Sequence, residues 1–232
     1  MRGSVPARLR PTALFAADAI LVGDPGRALL LAQELLEKPK MSNHARGLWG
    51  YSGQTPAGRE LTIQATGMGG PSAAMVIADL AKLKVRRVVR VGTCTALNSR
   101  AQIGELLLAN AVLGVGGSAT SFGVAVGEAL SPDPDLLERL RAQLGDEAQG
   151  ATVASFDALP ADTDLADGVA AADMQTFAVL ARAQQLEIAA AAVLIVTETT
   201  AAESLASEEL DRAAVRCGIA AAEALSNPKV EG

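Results

Sequence analysis

Short aliphatic runs alternate with segments of helical spacing along this chain, and that alternation limits the fold more than any other feature. "AILV" (19–22) reads as a buried strand. In the "GDPGR" that follows, Asp24 can cap a helix and Pro25 can take its first position, where a missing N–H costs nothing. Ala28, Leu31, Ala32 and Leu35 then recur at i, i+3, i+4, i+7, the spacing of a helix with one buried face. "ELTIQAT" (60–66) alternates as a strand. "GMGGPS" (67–72) turns into a second helix, opened by Pro71 and carrying Ala73, Val76, Ile77 and Leu80 on one side. "RVVRV" (87–91) and 105–117 read as strands, 131–145 as a surface helix with Ser/Asp start and Gly stop signals, and 151–156 as a short strand. Residues 171–186 read as a helix, 189–198 as a final strand, and 207–225 as a last helix with Leu210, Ala213, Ala214, Cys217 and Ala221 as its apolar stripe. No repeat or long linker interrupts the series. Residues 1–232 therefore read as a single three-layer α/β/α domain, with 1–18 as an N-terminal arm.

Half of the residues are apolar and only 3% aromatic, so the core must be aliphatic and rich in alanine. A net charge of −6 argues against nucleic acid or an anionic membrane as the main partner, and any anion site must be a local gathering of arginines. Cys94 and Cys217 lie too far apart for a metal or redox spacing and read as reduced thiols of a cytoplasmic protein. His44 is the sole histidine, which excludes a multi-histidine zinc site, and no metal is implied. Asp18 interrupts the N-terminal apolar stretch, so no signal peptide is read there. The apolar run near residue 190 is too short to span a bilayer.

Three glycine-bearing junctions follow strands: "GDPGR", "GMGG" and "VGTCTA". Ligands of open α/β sheets bind beyond the carboxyl ends of strands, where such turns gather. Gly23 and Arg27 at one junction, with Arg90 and Thr93 at another, would supply backbone N–H groups, two guanidinium forks and a hydroxyl, a set that suits a tetrahedral oxyanion. Arg90, flanked by valines, has two open readings: a structural ion pair or a ligand to a bound anion. Neither glycine turn matches a Walker loop or a dinucleotide fingerprint.

The ordered motifs "LVGDPGRA", "NHARGLWGYSG", "TGMGGPSAA", "VRVGTCTAL", "ADMQT" and "VLIVTET" resemble those of the hexameric nucleoside phosphorylases, which include bacterial purine nucleoside phosphorylase and uridine phosphorylase. The resemblance runs from about residue 19 to the last helix and is closer to the purine enzymes. It implies a mixed, partly barrel-like central sheet, a role in purine salvage, inorganic phosphate as co-substrate without any other cofactor, and a homo-oligomer, a hexamer built as three dimers. By resemblance, Gly23, Arg27, Arg90 and Thr93 bind phosphate, and Arg46 reaches into a neighbouring subunit's phosphate site. Met68, Cys94, Met174 and Gln175 border the nucleoside, Leu159 stands where a base-stacking aromatic is expected, and Arg90 and Glu198 carry the catalysis.

The departures are as specific. Asp173-Met174-Gln175 replaces the family's Glu-Met-Glu, whose second Glu accepts from the ribose hydroxyls. A neutral amide there implies weak activity on ribonucleosides and a gain on restoring Glu. Thr197-Glu198 stands where purine enzymes have Ser-Asp or Ser-Asn. Glu198 reads either as a general acid to the departing base, if desolvated, or as a surface carboxylate ending a strand. Phe156 lies near Leu159 in sequence, an N-terminal histidine is replaced in the region of Ala7 and Arg8, and His44 reads as an interface or surface residue. The Gln-x-Arg pair that reads uracil is not seen after residue 155. Purine nucleoside phosphorolysis is thus the expected function. A hydrolytic nucleosidase of the same fold and a non-catalytic paralogue binding nucleoside or phosphate are the alternatives.

Overall fold

The computed structural model describes residues 6–158, 168–201 and 203–226. Strands β1 (Asp18–Val22), β2 (Glu37–Asn43), β3 (Gly50–Gln54), β4 (Glu60–Ala65), β5 (Arg87–Ala96), β6 (Leu106–Val115), β7 (Ala129–Leu130), β8 (Ala148–Phe156), β9 (Val169–Asp173) and β10 (Ala189–Thr199) make one mixed sheet. The helices are α1 (Pro25–Leu35), α2 (Gly70–Lys82), α3 (Gly117–Ser121), α4 (Pro134–Leu144), α5 (Thr176–Gln185) and α6 (Ser207–Ser226). The strand order β10-β6-β8-β9-β5-β1-β4-β3-β2, with β10 also paired to β5, closes the first five strands into a barrel and leaves the rest as an open wing. The barrel-like sheet expected from the sequence is present.

Period-two alternation sorts the side chains into two layers. Ala19, Leu21, Val88 and Leu194 pack with α2 and α5 on one face, while Ile20, Val22, Val89, Val91 and Ile195 pack with α1, α4 and α6 on the other. The buried residues of α1 are Ala28, Leu31, Ala32 and Leu35, and Asp24 caps it by accepting from Arg27 N at 2.7 Å, both as the spacing predicts. On α6, Ala214, Cys217 and Ala221 are buried, whereas Leu210 and Ala213 are only partly so. No helix among the described residues is long and apolar enough to cross a membrane.

One boundary needs correction. The predicted helix over 171–186 is two elements, β9 and then α5. "VAAAD" has the alanine content of a helix, but all five of its residues are buried between β8 and β5, so tertiary pairing overrides propensity. The wing strands β2 and β3 also have no clear sequence signal, since "EKPKMSN" and "GYSGQ" are polar or glycine-broken edges.

The site is positioned by what happens along β5. One edge of β5 pairs with β10 from Arg87 to Ala96. The other pairs with β1 from Arg87 to Arg90 and with β9 only at Thr95 and Ala96. Between those partners β1 turns away at Gly23, and the sheet opens beside Val91 to Cys94.

The N-terminal arm is fastened to α2 by a buried carboxylate. Asp79 accepts from the backbone N–H groups of Ala7 (3.0 Å), Arg8 (2.6 Å) and Leu9 (3.0 Å), and its oxygen lies 3.5 Å from Lys82 Nζ. Burial works against ionisation, but the three N–H groups and Lys82 outweigh it and hold the carboxyl below its ordinary value. A depressed folded pKa contributes stability that is full above the unfolded value near pH 4 and is lost as pH falls through the lower folded value. Asp79→Ala should therefore cost about 2–4 kcal/mol in urea unfolding at pH 7, the scale of charge-assisted bonds lost from buried donors. The difference from the parent chain should shrink by pH 3, and an equal difference at both pH values would contradict the assignment.

Candidate active site

Along β5, alternation places Val88, Arg90 and Gly92 on the α2/α5 face. The Arg90 side chain folds back over Gly92. A Cβ at that position would lie 2.6 Å from Arg90 Cζ and 2.8 Å from Leu194 Cδ2, so the glycine is required by volume and not by its backbone angles. Arg90 is only 4% exposed. Its Nε donates to Thr176 Oγ1 (3.1 Å), Nη1 to Gln175 Oε1 (2.8 Å) and Nη2 to Asp173 Oδ2 (3.0 Å). Of the two readings of Arg90, the ion pair is present in the structure. A guanidinium has five N–H donors, so these three bonds leave two for a ligand.

Asp173 is the centre of this cluster. It accepts from the Ser155 hydroxyl, from Thr176 N (3.0 Å to Oδ2) and from the Thr176 hydroxyl (2.5 Å), in addition to Arg90. Ser155 Oγ in turn accepts from Phe177 N at 2.9 Å. The sequence reading did not assign these partners to Arg90. A carboxylate three residues before a helical Thr is a capping signal that points to part of the set.

The opening beside β5 is a cavity of about 390 Å³. It brings together Gly23, Arg27, Arg90 and Thr93 from the expected anion set, and Met68, Cys94, Met174, Gln175 and Glu198 from the expected nucleoside and catalytic sets. Arg27, in the first turn of α1, is half-buried there. Burial pushes its pKa down, Asp24 and, more weakly, Asp211 pull it back up, and the neighbouring Arg90 cation pushes it down, with a lowered value as the outcome. Among the described residues no hydrogen bond or ion pair is made by the Arg27 guanidinium. Two guanidiniums thus face one cavity, and one of them makes no direct ion pair among the described residues, with the carboxylates of Asp24 and Asp211 acting on it from farther off.

Gln175 is buried, and its amide is committed to the protein. Oε1 faces Arg90 Nη1 and the Thr66 hydroxyl (3.1 Å), while Nε2 donates to the carbonyls of Gly67 (2.5 Å) and Gly69 (3.3 Å). Those glycines sit at φ 71° and 79°, a region that side chains avoid, and hold Met68 between them at the cavity rim, 90% exposed. Met174 is half-buried in the wall. Cys94 is buried with its thiol 3.6 Å from the Ile195 carbonyl. Burial, and then the Asp173 charge, push its pKa up against the pull of Arg90, so it packs as a neutral thiol.

Three expected residues are placed differently. Glu198 lines the cavity just past a register shift in β10, but it is exposed, 3.5 Å from the Thr95 hydroxyl. The desolvated surroundings required of a general acid are not supplied by this chain alone. Arg46 is not in the cavity. It is exposed at φ 62° in a one-turn helix, Ala45–Gly47, and lines a separate recess with Arg8, Arg10 and His44. Leu159 lies outside the described residues, and Phe156 is buried against Ala154, Val169 and Ala172 rather than lining the cavity. Among the described residues no group of His, Cys, Asp and Glu gathers as metal ligands.

Residues 18–227 match the model of the Phosphorylase superfamily. A DeoD-type purine nucleoside phosphorylase of Oceanobacillus iheyensis is 41% identical over 95 residues, covering 40% of each chain. That of Bacillus subtilis is 36% identical over 95 residues, again 40% of each. The match thus spans about two-fifths of the length of these curated relatives. The crystal structure of purine nucleoside phosphorylase from Toxoplasma gondii in complex with immucillin-H superposes with a TM-score of 0.80 at 19% identity, covering 90% of this chain and 91% of that one, a likeness of fold. With nearly the whole chain matched by the family model and the barrel and wing in place, this protein belongs to the phosphorylase superfamily.

Proposed function

We propose that this protein is a purine nucleoside phosphorylase. The observation that carries the reading is the pair of guanidiniums facing one cavity in an acidic protein, with Arg27 unpartnered among the described residues and Arg90 fixed by Asp173 with two donors to spare. Inorganic phosphate between Arg27, Arg90, Thr93 and the Gly23 turn meets opposite charge in a partly desolvated place, where such bonds are strong. The nucleoside lies along Met68, Met174 and Cys94. One phosphate oxygen bonds to the anomeric carbon as the glycosidic C–N bond breaks. That bond's electron pair leaves with the base, which takes up a proton. The products are a pentose 1-phosphate and a free purine. Positioning the dianion against the sugar supplies much of the acceleration, because the attack becomes effectively intramolecular. Glu198, in the lining of the same cavity, would hand the base its proton once bound base and a neighbouring subunit exclude water. Phosphate is the co-substrate, and no metal takes part in any of these steps. The DeoD-type relatives support the choice of purines.

Arg46 supports a shared site. It is exposed, lies outside its own chain's cavity, and sits in a basic recess with Arg8 and Arg10. In the assembly we propose, a hexamer of three dimers, it completes the phosphate site of the two-fold partner.

Incubation with purine and pyrimidine nucleosides, with and without phosphate, tests the reaction. Phosphate-dependent release of purines is expected. Release without phosphate would mark a nucleosidase, and binding without turnover a non-catalytic protein. Arg27→Ala should fold normally and lower kcat/KM for phosphate about 30- to 1000-fold, the scale for truncating one member of a hydrogen-bonded charge pair. An unchanged phosphate dependence would remove the main support for phosphorolysis.

The shared site has its own test. Arg27→Ala and Arg46→Ala chains, each impaired alone, should regain part of the activity when subunits are mixed and reassembled, because some sites then carry both arginines. No recovery, or a monomer by light scattering at micromolar concentration, would contradict the assembly.

A further inference from the structure

We infer that Arg8 and Arg10, on the N-terminal arm beside Arg46, form a site for a second phosphate group, separate from the one proposed between Arg27 and Arg90. The recess they share with Ala7, His44, Ala45 and Arg46 has a volume of about 310 Å³, and no carboxylate lines it among the described residues. None of its three guanidiniums makes a hydrogen bond or an ion pair among the described residues. The carboxylate that the arm does meet, Asp79, is fully buried. It already accepts from three backbone N–H groups and faces Lys82 Nζ at 3.5 Å. In a chain of net charge −6, three cations gathered without a counter-ion repel one another, and an arriving anion relieves that repulsion.

The backbone that carries these cations is fixed from beneath. Asp79, on α2, holds the arm at Ala7, Arg8 and Leu9. Asn43, at the end of β2 and also fully buried, accepts from Arg10 N (2.8 Å) and donates to the carbonyls of Ala45 (3.3 Å) and Leu48. One side chain thus ties the arm to the one-turn helix bearing Arg46. Arg46 itself stands at φ 62°, a backbone region that side chains other than glycine seldom adopt and that recurs at binding sites. Three planar forks suit a doubly charged group with three terminal oxygens better than a single carboxylate. In the assembly proposed above Arg46 serves the partner's phosphate, which leaves Arg8 and Arg10 without an anion. To that extent the inference rests on that reading. The second group is then either another inorganic phosphate or a phosphate carried by the nucleoside, and the chemistry recognised is the same.

Equilibrium dialysis with radiolabelled inorganic phosphate counts the sites on the full-length chain, on Arg27→Ala and on the double variant Arg8→Ala/Arg10→Ala. The same proteins are then titrated with inosine and with inosine monophosphate. If the second group is a free ion, the parent binds two phosphates per chain, Arg27→Ala loses one and the double variant loses the other. If the nucleoside carries it, the parent binds one phosphate but takes the monophosphate about tenfold or more tightly than inosine, the scale of one or two charge-assisted bonds. The double variant then loses that advantage. In either case it should keep its affinity for inosine within about threefold and melt no lower than the parent, since it loses no protein contact. A single phosphate per chain with no preference for the monophosphate would overturn the inference. So would one site lost equally in Arg27→Ala and in the double variant, because the recess would then only complete a partner's cavity. A second site that vanishes at physiological salt marks an adventitious ion only, and overturns it too. If Arg27→Ala binds phosphate as the parent does while the double variant loses a site, the phosphate reading of the cavity fails and this inference stands.

Discussion

The ion pair of Asp173 with Arg90 is the contact on which the barrel's closure and the site both depend. Burying two charges costs several kcal/mol each unless their remaining hydrogen-bonding capacity is filled. Here it is filled from separate elements: Ser155 from β8, Asp173 from β9, Arg90 from β5 and Thr176 from the start of α5. Asp173 also accepts from the first-turn N–H of Thr176, where a helix presents unpaired donors and a partial positive charge. The network therefore joins three strands and a helix where β9 replaces β1 along β5. Losing either partner would leave an orphaned charge in that joint, so the pair specifies how the barrel closes whatever its net energy.

The same joint explains why the cavity is cationic in an acidic protein. Arg90 is held immobile by protein acceptors, yet its guanidinium still forms part of the wall. Gly92 has no side chain to displace it. Arg27 comes from the first turn of α1, just after β1 ends at Gly23, and brings a second cation that no direct ion pair among the described residues holds. One arginine is thus tied into the fold, whereas the guanidinium of the other makes no hydrogen bond among the described residues. That asymmetry is what favours the proposed anion site over an incidental cavity.

Legibility in the sequence followed the range of the interactions. Helix α1, its Asp24 cap and its four buried residues are local features, and all could be read directly. The glycine junctions likewise disclosed Gly23, Arg27, Arg90 and Thr93 as neighbours in space, because strand ends gather at one edge of a sheet. Strand β9 could not be read, since its alanines acquire strand character only from the neighbours on either side. Arg90's carboxylate lies 83 residues away in sequence, so the ion pair remained one of two readings. The departure at Gln175 was visible, but not the partners of its amide, among them two carbonyls more than a hundred residues distant.

What the single chain leaves open also has a physical logic. Met68 is almost fully exposed in the cavity lining, Glu198 in the same lining is also exposed, and the one-turn helix bearing Arg46 lines a separate recess. An apolar side chain exposed at a cavity rim gains only when a ligand or another surface covers it. A carboxyl serves as an acid near neutral pH only when water is excluded around it. A cation in a basic recess is most stable against an anion held elsewhere. All three conditions would be met by one event in the proposed assembly, the covering of the cavity mouth by nucleoside and a second subunit. The proposed phosphate wall, in contrast, draws on this chain for all but Arg46. On this proposal the division is between an anion site built on the barrel and a nucleoside site finished by assembly. It follows from where the buried ion pair sits: groups tied to Asp173 are fixed before any ligand arrives, and groups beyond its reach are not.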